Sequence, residues 1–372
     1  MKLKPPFALF SPRARAVFNL KLILNQELKK EQSMKALIKV RQDAYGFDLL
    51  EVDKPKLKAD EVLIRVEATG ICGSDIPLYK GMYPVKLPVP YIPGHEFSGS
   101  IVDVGNDVEH LKTGDRVSAH IVVSCGACYY CRTGRSHICN HSKELGFDIN
   151  GSFAEYVSFP ARNILLLPNN MDFEEGAMLD PLASALHPIE RLHLGICDTF
   201  AVLGPGPIGL LALQCARTIG AKKVIMVGTR DDRLRVAKEL GADEIINVQN
   251  ENLQERISSV TGNGVDVVLE ATGSTKAINS ALSIVKKDGQ IVLISVYHEP
   301  ASINALDVVY KELSISGSYD YTWLTFKRAM DLISSRKVKV KPIITHRHSL
   351  NDFKEAFDLV LSRKAMKVLL KP

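Results

Sequence analysis

The pattern of hydrophobic and polar positions divides the chain into two halves. From Met34 to about residue 165, short β-rich runs such as EVLIRVEATGICG and FSGSIVDVG are separated by Gly, Pro and Asp. This pattern is typical of strands joined by turns. From about residue 198, buried strands such as DTFAVL and KKVIMVG alternate with helical stretches such as PIGLLALQCARTIGA. The second half therefore predicts a parallel sheet covered by helices on both faces.

The C-terminal stretch LNDFKEAFDLVLSRKAMKVLLKP predicts one more helix and one more strand. The predicted fold class is α/β, with a β-rich domain followed by a doubly wound domain. A chain of 372 residues is long enough for two such domains. Its apolar runs are shorter than the ~20 residues that a membrane helix needs, so no membrane span is expected.

The formal net charge of +5 lies entirely in the N-terminal stretch. Residues 1–33 carry seven of the 47 basic residues and two of the 42 acidic ones, so residues 34–372 carry 40 of each. The body of the protein therefore has no overall basic field that would attract nucleic acid. The expected partner is a small molecule, not nucleic acid or a membrane.

Residues 1–33 have a basic start but lack the features of a secretory signal. Lys21 interrupts their apolar run, and no small-residue cleavage site follows. We interpret them as a disordered upstream extension rather than a targeting segment. The odd total of seven cysteines argues against a disulfide framework and fits a reducing cytoplasm with metal thiolates.

The stretch AVLGPGPIGLLAL carries a dinucleotide-binding pattern between a predicted strand and a predicted helix. Gly204, Gly206 and Gly209 have the G-x-G-x-x-G spacing, with Pro207 and Ile208 between the last two. The glycines permit a tight turn, close approach of a pyrophosphate and close helix packing, while the helix N-terminus faces the negative charge. This pattern predicts a nicotinamide dinucleotide cofactor.

The residues at the end of the next predicted strand indicate which of the two cofactors, NAD or NADP, the protein prefers. An acidic residue usually binds the adenosine ribose there, but this chain has Gly228, Thr229 and Arg230. Without the carboxylate, Thr229 and Arg230 could bind a 2′-phosphate, which favours NADP. Two alternatives stay open: Arg230 is a solvated turn residue, or Arg233 stacks on the adenine of NAD.

Four cysteines crowd into the stretch VSCGACYYCRTGRSHICN, with C-x2-C-x2-C-x7-C spacing. Four thiolates in one short loop can close a tetrahedral shell around zinc and leave no open position. Such a site contributes folding energy rather than chemistry. An iron–sulfur cluster is the competing interpretation, although nothing else in the chain suggests electron transfer. The four residues are Cys125, Cys128, Cys131 and Cys139.

A second set of residues has the composition of a catalytic zinc site. Cys72 lies in the Gly-flanked stretch ATGICGSD, and His95 and Glu96 are adjacent in YIPGHEFSG. A thiolate, an imidazole and a carboxylate suit zinc with one position left for water or substrate. Each residue alone is a weak signal, since a lone Cys is more often a small core residue.

Residues 34–372 resemble the zinc-dependent medium-chain alcohol and polyol dehydrogenases along essentially their whole length. The motifs that carry the resemblance are GICGSD, PGHEFSGSIVDVG, GDRVSAH, CGACYYCRTGRSHIC, GSFAEYV, DPLASALH and GPGPIG. The resemblance implies two zinc ions per chain, a catalytic one at Cys72, His95 and Glu96 and a structural one at the four cysteines. It also implies NAD(P) and a homodimer or homotetramer.

The same resemblance implies the domain organisation. A GroES-like catalytic domain is expected over residues 34–183, with the structural-zinc lobe at 120–142. A Rossmann dinucleotide-binding domain is expected over 184–320. Residues 321–372 are expected to return to the catalytic domain, in agreement with the final predicted helix and strand.

Two further residues are candidates at the catalytic zinc. Asp180 lies where polyol and threonine dehydrogenases of this type carry an acidic residue at or near the metal. It could equally form an N-cap and N1 pair with Pro181 for the helix that follows, and His187 is interpreted as a packing residue. Ser74 is the expected first hydroxyl of a proton relay, because Pro77 occupies a position where the family often carries His.

The expected activity is hydride transfer between a secondary alcohol and NAD(P), with a polyol or a polyol phosphate as the expected substrate. A zinc ion would lower the pKa of the substrate hydroxyl, and the proton would leave through Ser74. Threonine 3-dehydrogenase or another secondary-alcohol dehydrogenase is the alternative. A metal-free reductase and a nucleic-acid-binding zinc protein are rivals that the zinc residues and the neutral body disfavour.

Overall fold

The computed structural model of the chain describes residues 32–193, 195, 198–297 and 299–372. Almost all of the predicted N-terminal extension lies outside the described residues, as does Cys197. Ser33 already belongs to the first strand, one position earlier than expected. Within the described ranges, no helix is long and apolar enough to cross a membrane.

The first half of the described chain is built mainly from short strands, as the alternation of apolar runs and turn residues predicts. Its strands are β1 (Ser33–Lys39), β2 (Phe47–Asp53), β3 (Glu61–Gly70), β4 (Glu96–Val104), β5 (Arg116–Ala119), β6 (Val122–Val123), β7 (Lys143–Glu144), β8 (Tyr156–Pro160) and β9 (Ile164–Leu166). Its helices are α1 (Asp75–Tyr79), α2 (Tyr129–Arg132), α3 (Phe173–Ala177) and α4 (Leu179–Glu190).

The second half forms a six-stranded parallel sheet with the strand order β12-β11-β10-β13-β14-β15. The strands are β10 (Thr199–Leu203), β11 (Lys223–Gly228), β12 (Glu244–Asn247), β13 (Val265–Glu270), β14 (Val285–Leu293) and β15 (Ser314–Gly317). The helices between them are α5 (Pro207–Thr218), α6 (Asp231–Glu239), α7 (Leu253–Thr261), α8 (Thr275–Ile284) and α9 (Ala305–Tyr310). The predicted doubly wound parallel sheet is therefore confirmed.

The C-terminal segment returns to the first half. It contains α10 (Trp323–Ser334), β16 (Ile344–Ser349), α11 (Phe353–Leu361) and β17 (Lys367–Lys371). Strand β17 pairs antiparallel with β3, which gives a seven-stranded sheet with the order β16-β17-β3-β4-β5-β9 and with β8 beside β3. Residues about 300 positions apart in sequence, such as Gly70 and Leu369, thereby pair at the end of β3.

Helix α4 joins the two halves and is buried on nearly every side. It packs against α5 of the parallel sheet and against α10 of the C-terminal segment. The helix runs across the boundary expected between residues 183 and 184. One hydrophobic core cluster contains side chains from both sides of that boundary, among them Leu182, Leu186 and Leu210.

Candidate active site and metal centres

The end of β3 and the start of β4 bring the predicted catalytic residues together. Cys72 lies two residues after β3, His95 immediately precedes β4, and Glu96 is the first residue of β4. The strands pair antiparallel with Gly70 opposite Glu96, so the two chain segments meet at one point. Ligand atoms of the three side chains all lie within 4.8 Å of one another.

The strand position opposite Glu96 requires a glycine. A Cβ atom on Gly70 would lie 2.2 Å from the Glu96 Oε2 atom, so any larger residue would displace the carboxylate from its observed position. The missing side chain gives the carboxylate space above the strand, so that it can turn toward Cys72. The glycine before ICGSD in this sequence thus has a packing role in the site.

Lys367 of β17 holds the Glu96 carboxylate, although the sequence analysis did not single this residue out. Its Nζ lies 2.7 Å and 2.6 Å from the two carboxylate oxygens of Glu96 and 3.1 Å from the carbonyl oxygen of Ile71. Both charged side chains are buried, at 4% and 1% exposure. Burial would lower the pKa of Lys367, but the negative charges of Glu96, Cys72 and Asp180 together with the hydrogen bond to Glu96 outweigh it and raise that pKa. A carboxylate has lone pairs for both the ammonium and a metal ion.

The polar atoms around this cluster favour a bound cation. His95 is 4% exposed, and its Nδ1 has no hydrogen-bond partner among the described residues. Burial would lower the pKa of His95, but the Cys72 sulfur and the Asp75 and Asp180 carboxylates raise it well above its usual value. The donor set is thus collectively anionic, buried and of the borderline-soft composition that zinc prefers. The residues present fit a zinc ion.

Asp75 lies beside the same cluster and was also missed from the sequence. Its Oδ2 accepts a hydrogen bond of 2.9 Å from the backbone N–H of Cys72, and its Oδ1 has no partner among the described atoms. Burial raises the pKa of this fully buried carboxyl to about 6. The pattern GICGSD could have indicated it, because an Asp three residues after a candidate ligand can orient the ligand's backbone.

The structure corrects the prediction that Asp180 caps a helix. Helix α4 begins at Leu179 with Met178 at the N-cap, so Asp180 and Pro181 already lie inside its first turn. The Asp180 carboxylate instead accepts a hydrogen bond from the Tyr321 hydroxyl. Asp180 lies close enough to His95 to interact with its charge, but among the described residues its oxygens do not join the 4.8 Å ligand cluster.

Ser74 occupies the position expected of a first proton acceptor. It is the N-cap residue of α1, but its side chain makes no capping bond. Its Oγ is buried and has no hydrogen-bond partner among the described residues. A hydroxyl that is free of structural bonds, two residues from Cys72, can exchange its hydrogen bonds with a substrate.

The four lobe cysteines converge as the spacing predicts. Their Sγ atoms lie 3.5–3.9 Å apart in four of their pairs. Zinc–sulfur bonds of about 2.3 Å in a tetrahedron would place sulfurs roughly 3.8 Å apart, so the lobe fits zinc. The backbone N–H groups of Cys125, Cys128 and His141 donate to lobe sulfurs at 3.3–3.4 Å. The N–H of Cys131 is the main cause that lowers the pKa of Cys128, to about 6.

A pair of buried histidines connects the lobe to α4. His137 lies in the lobe, His187 in the last turn of α4, and their ring centroids are 4.7 Å apart. Both side chains are 5% exposed, and burial lowers the pKa of each to about 4. The interpretation of His187 as a packing residue agrees with this arrangement. The same helix carries Asp180 at its other end, so α4 connects the surroundings of the two candidate metal centres.

The dinucleotide loop has the geometry that its glycines predict. Gly204 follows β10 with φ +111°, a conformation that side chains rarely adopt, and a Cβ on Gly209 would lie 2.0 Å from the Gly204 carbonyl oxygen. Helix α5 starts at Pro207 with Gly206 as N-cap, and Ile208 is half-buried in its first turn. A Cβ on Gly206 would meet no atom within 4 Å, which leaves its backbone open to a phosphate.

The four candidate residues of the ribose site lie between the last position of β11 and the first turn of α6. Gly228 is buried against the Pro205 ring, whereas Thr229 is exposed. The Arg230 guanidinium pairs with Asp232 at 2.6 Å and donates to the Arg363 carbonyl. Arg233 donates to the carbonyl of Ala365 at 2.7 Å. Both arginines therefore contact the C-terminal segment as well as bordering the predicted ribose site.

A buried carboxylate beside the dinucleotide loop escaped the sequence analysis. Glu270 ends β13 and pairs with Leu203, the last residue of β10, at the point where the strand order reverses. It is fully buried and accepts hydrogen bonds from the Thr272 backbone N–H at 2.7 Å and from the hydroxyls of Thr272 and Tyr297. Glu270 thus ties together two loops at the edge of the sheet where dinucleotides bind in such folds.

Comparisons with known proteins agree with this geometry. Residues 58–169 match the alcohol dehydrogenase GroES-like domain, and residues 207–335 match the zinc-binding dehydrogenase domain. Sorbitol dehydrogenase of Halalkalibacterium halodurans is 38% identical over 344 residues, which cover 91% of this chain and 99% of that protein. The chain belongs to the zinc-dependent alcohol and polyol dehydrogenases. The predicted family and fold class are confirmed.

Other members of this family that are similar to the chain are named after different substrates. L-threonine 3-dehydrogenase of Bacillus velezensis is 37% identical, with coverage of 91% of this chain and 99% of that protein. D-arabitol-phosphate dehydrogenase of Enterococcus avium is also 37% identical, with coverage of 89% and 96%. Family membership therefore makes the chain an oxidoreductase of alcohols, and leaves the particular alcohol open.

Solved structures of the family carry either form of the cofactor. A zinc-binding dehydrogenase of Sinorhizobium meliloti bound to NADP has a TM-score of 0.86 at 31% identity, covering 91% of this chain and 99% of that one. An alcohol dehydrogenase of Escherichia coli in complex with NADH also has a TM-score of 0.86 at 31% identity, covering 92% and 100%. Membership of this family therefore indicates zinc and NAD(P) as the cofactors.

Proposed function

We propose that the chain oxidises a secondary hydroxyl of a polyol or a polyol phosphate and transfers the hydride to NAD(P). The observation that carries the proposal is the convergence of Cys72, His95 and Glu96 at the meeting point of β3 and β4. This donor set leaves a coordination position for a substrate hydroxyl. Two residues of the C-terminal segment support the site: Lys367 binds Glu96, and Tyr321 binds Asp180 beside the cluster.

Each residue at the site has a role that follows from its contacts. Cys72, His95 and Glu96 hold the catalytic zinc, which when bound supplies Lewis acidity toward the substrate hydroxyl. Lys367 sets the orientation of the Glu96 carboxylate. Ser74 relays the proton released from the substrate hydroxyl: its Oγ takes up that proton while its own proton passes onward to water or another side chain. It can do so because its hydroxyl is free of structural bonds among the described residues.

Asp180 acts from beside the ligand cluster. The Tyr321 hydroxyl occupies one of its oxygens, and burial raises the pKa of its carboxyl to about 6. A carboxyl in such surroundings can adjust the charge of the site without a permanent bond to the metal. Direct ligation would require the side chain to turn away from Tyr321.

The four-cysteine lobe holds the second zinc ion of the chain in our proposal. Its sulfurs surround one point, and the spacing leaves no position for a substrate. The lobe is therefore structural. The domain division that we propose keeps residues 34–183 as the catalytic domain with the lobe at 120–142, residues 184–320 as the dinucleotide-binding domain and residues 321–372 as the return segment.

NADP is the cofactor that we favour over NAD. Gly204, Gly206, Pro207, Ile208 and Gly209 would bind the pyrophosphate, since they form the open turn and the start of α5. The ribose site next to Gly228 lacks a carboxylate of its own, and exposed Thr229 and half-buried Arg230 border it.

A 2′-phosphate would have to compete with Asp232 for Arg230, which weakens the preference for NADP. Arg233 is held by carbonyl groups of the return segment and supports that turn. The ratio of kcat/KM with NADP to that with NAD measures the preference, and a clear advantage of NAD would contradict it.

We further propose that the protein forms a homo-oligomer and is located in the cytoplasm. Strand β15 is the edge strand of the parallel sheet, and helix α9 beside it exposes Leu306, Val309 and Tyr310 at 53%, 67% and 71%. An unpaired strand edge next to exposed apolar side chains is a surface that a second copy can cover. The six described cysteines are free thiols, in keeping with a reducing compartment.

The experiment is an assay of nicotinamide reduction by the zinc-replete protein with NAD and NADP separately. Its substrates are sorbitol, galactitol, inositols, hexitol phosphates, threonine and simple secondary alcohols. Turnover of a polyol or polyol phosphate is the expected result. Turnover of threonine alone would keep the zinc chemistry and contradict the proposed substrate class.

A further inference from the structure

Three consecutive residues after β15 gather carboxyl groups at the proposed substrate cleft. The Tyr319 hydroxyl donates to Glu144 Oε1 at 2.8 Å, and the Tyr321 hydroxyl donates to Asp180. Asp320 lies between the two tyrosines, in a left-handed backbone conformation with φ +53°. The segment from Tyr319 to Tyr321 thus contributes one carboxyl group, that of Asp320, and binds two others, those of Glu144 and Asp180.

Two of these carboxyl groups lie near the candidate metal centre, although they do not belong to its ligand cluster. Glu144 belongs to β7, and three residues later the ring of Phe147 lies 5.3 Å from the ring of His95. Both Glu144 and Asp320 are close enough to His95 for its charge to affect their pKa values. Glu144 thus lies three residues before the ring that packs against His95, and Asp320 is adjacent to Tyr321, whose hydroxyl binds Asp180.

These two carboxyl groups lack the basic partners that carboxylates have elsewhere in the protein. Glu174 is paired with Arg347 and Glu190 with Arg328 at 2.6–2.7 Å. Among the described residues, neither Glu144 nor Asp320 forms an ion pair with a Lys or Arg. Burial raises the pKa of both carboxyl groups, and the charge of Glu144 raises the pKa of Asp320 further. A phosphate group brought close to them would meet the same repulsion, with no guanidinium or ammonium to bind it.

We propose that Glu144 and Asp320 are specificity residues that make the cleft select uncharged polyols and reject polyol phosphates. The inference rests on the proposed function and narrows its substrate class. Carboxylate oxygens accept hydrogen bonds from the hydroxyl groups along a polyol chain, so a neutral substrate gains contacts where a phosphorylated one meets repulsion. Tyr319 is the positioning residue that holds Glu144 toward the cleft.

The test compares kcat/KM for matched pairs of substrates, sorbitol with sorbitol 6-phosphate and D-arabitol with its phosphate. The variants are Glu144→Gln, which can still accept the Tyr319 hydrogen bond, and Asp320→Asn, since Asn tolerates a left-handed backbone. The matched control is Glu109→Gln, a change of charge at an exposed position of the same domain. Zinc content and the melting temperature are measured for every variant.

We expect the wild-type protein to prefer each neutral polyol over its phosphate by at least roughly tenfold. Glu144→Gln and Asp320→Asn should each raise kcat/KM for the phosphate by roughly tenfold, mainly through a lower KM. The same variants should lower kcat/KM for the neutral polyol, and Glu109→Gln should leave the ratio unchanged.

Three results would overturn the inference while leaving the proposed function in place. They are a wild-type preference for the phosphate, a ratio that neither variant changes, and an equal change of the ratio in the Glu109→Gln control. Absence of turnover with every polyol and polyol phosphate would count against the proposed function itself. The two failures are therefore distinguishable in one set of assays.

Discussion

The two candidate metal centres differ in how far along the chain their parts come from. The lobe takes four sulfurs and their N–H donors from one loop between Cys125 and His141. The catalytic centre takes Cys72 from the end of β3 and His95 and Glu96 from the start of β4. It also needs Lys367 from the last strand. One centre is thus a local structure, whereas the other exists only when the whole fold is in place.

The centres also differ in how their negative charge is compensated. Backbone N–H groups face the sulfurs of the lobe, which lies at the surface with Cys125 exposed. The catalytic centre is buried and depends on one ammonium group, that of Lys367. Damage to the lobe should therefore reduce stability, whereas damage to the catalytic ligands should remove activity.

The largest expected effect is the difference between removing a ligand of the catalytic centre and removing a ligand of the lobe. Cys72→Ser should abolish turnover and leave the protein folded, because the rest of its pocket is held by the sheet. Cys128→Ser should open the closed shell and lower the free energy of unfolding by on the order of 4 kcal/mol. Zinc content, turnover and thermal unfolding of both variants check this difference. Full activity of Cys72→Ser, or unchanged stability of Cys128→Ser, would remove the distinction.

An effect of similar size on stability, without the complete loss of turnover expected for Cys72→Ser, is expected from removal of the ammonium group that compensates the catalytic centre. Lys367→Met leaves the Glu96 carboxylate buried without its ion-pair partner, which should cost about 3–5 kcal/mol of stability. Chemical denaturation measures the cost. The double variant Lys367→Met/Glu96→Gln should recover part of it, because the unpaired charge is then removed. A single variant as stable as the double one would mean that the buried pair contributes little.

Features that depend on the spacing of residues along the chain could be predicted from the sequence. The lobe cysteines, the G-x-G-x-x-G loop and the parallel sheet were predictable because their signals are local or periodic. Lys367 and Tyr321 were not, because a single Lys in the strand MKVLLKP and a Tyr in SYDYTW have no spacing relation to Glu96 and Asp180. Their roles follow from the antiparallel pairing of β17 with β3 and from the position of the return segment.

The predicted cap at Asp180 was wrong for a related reason. Asp followed by Pro is a strong local signal for a helix start, but α4 begins earlier, at Leu179. Tertiary contacts override the signal, since the carboxylate is bonded to Tyr321, a residue 141 positions later. Local chemistry was a poor guide where a side chain serves a buried polar site.

The histidine pair between the lobe and α4 should make stability depend on pH. Burial lowers the pKa of His187 to about 4, so the unfolded chain, with a His pKa of ~6.5, binds a proton first as the pH falls. Stability from this group is therefore complete above pH ~6.5 and decreases down to about pH 4. His187→Leu should reduce the loss of stability between pH 7 and pH 5 by about 2 kcal/mol.

Denaturation at the two pH values measures this change. His110→Leu is the matched control, because His110 is exposed and should retain the wild-type dependence. Loss of zinc in acid affects both variants alike, so the difference between them isolates His187. Identical pH dependence of the two variants would contradict a neutral buried pair at this contact.

The smallest effect concerns a single hydrogen bond at the catalytic centre. Tyr321→Phe keeps the ring stacked on Phe326 but removes the hydroxyl that donates to Asp180, so the buried carboxylate loses a partner. We expect a loss of about 1.5 kcal/mol in stability, together with a lower kcat, because Asp180 is then free to turn toward the zinc ligands. Tyr129→Phe in the exposed lobe is the counterpart and should change stability by less than about 0.5 kcal/mol. Equal effects of the two substitutions would mean that the buried centre is no more dependent on distant partners than the lobe is.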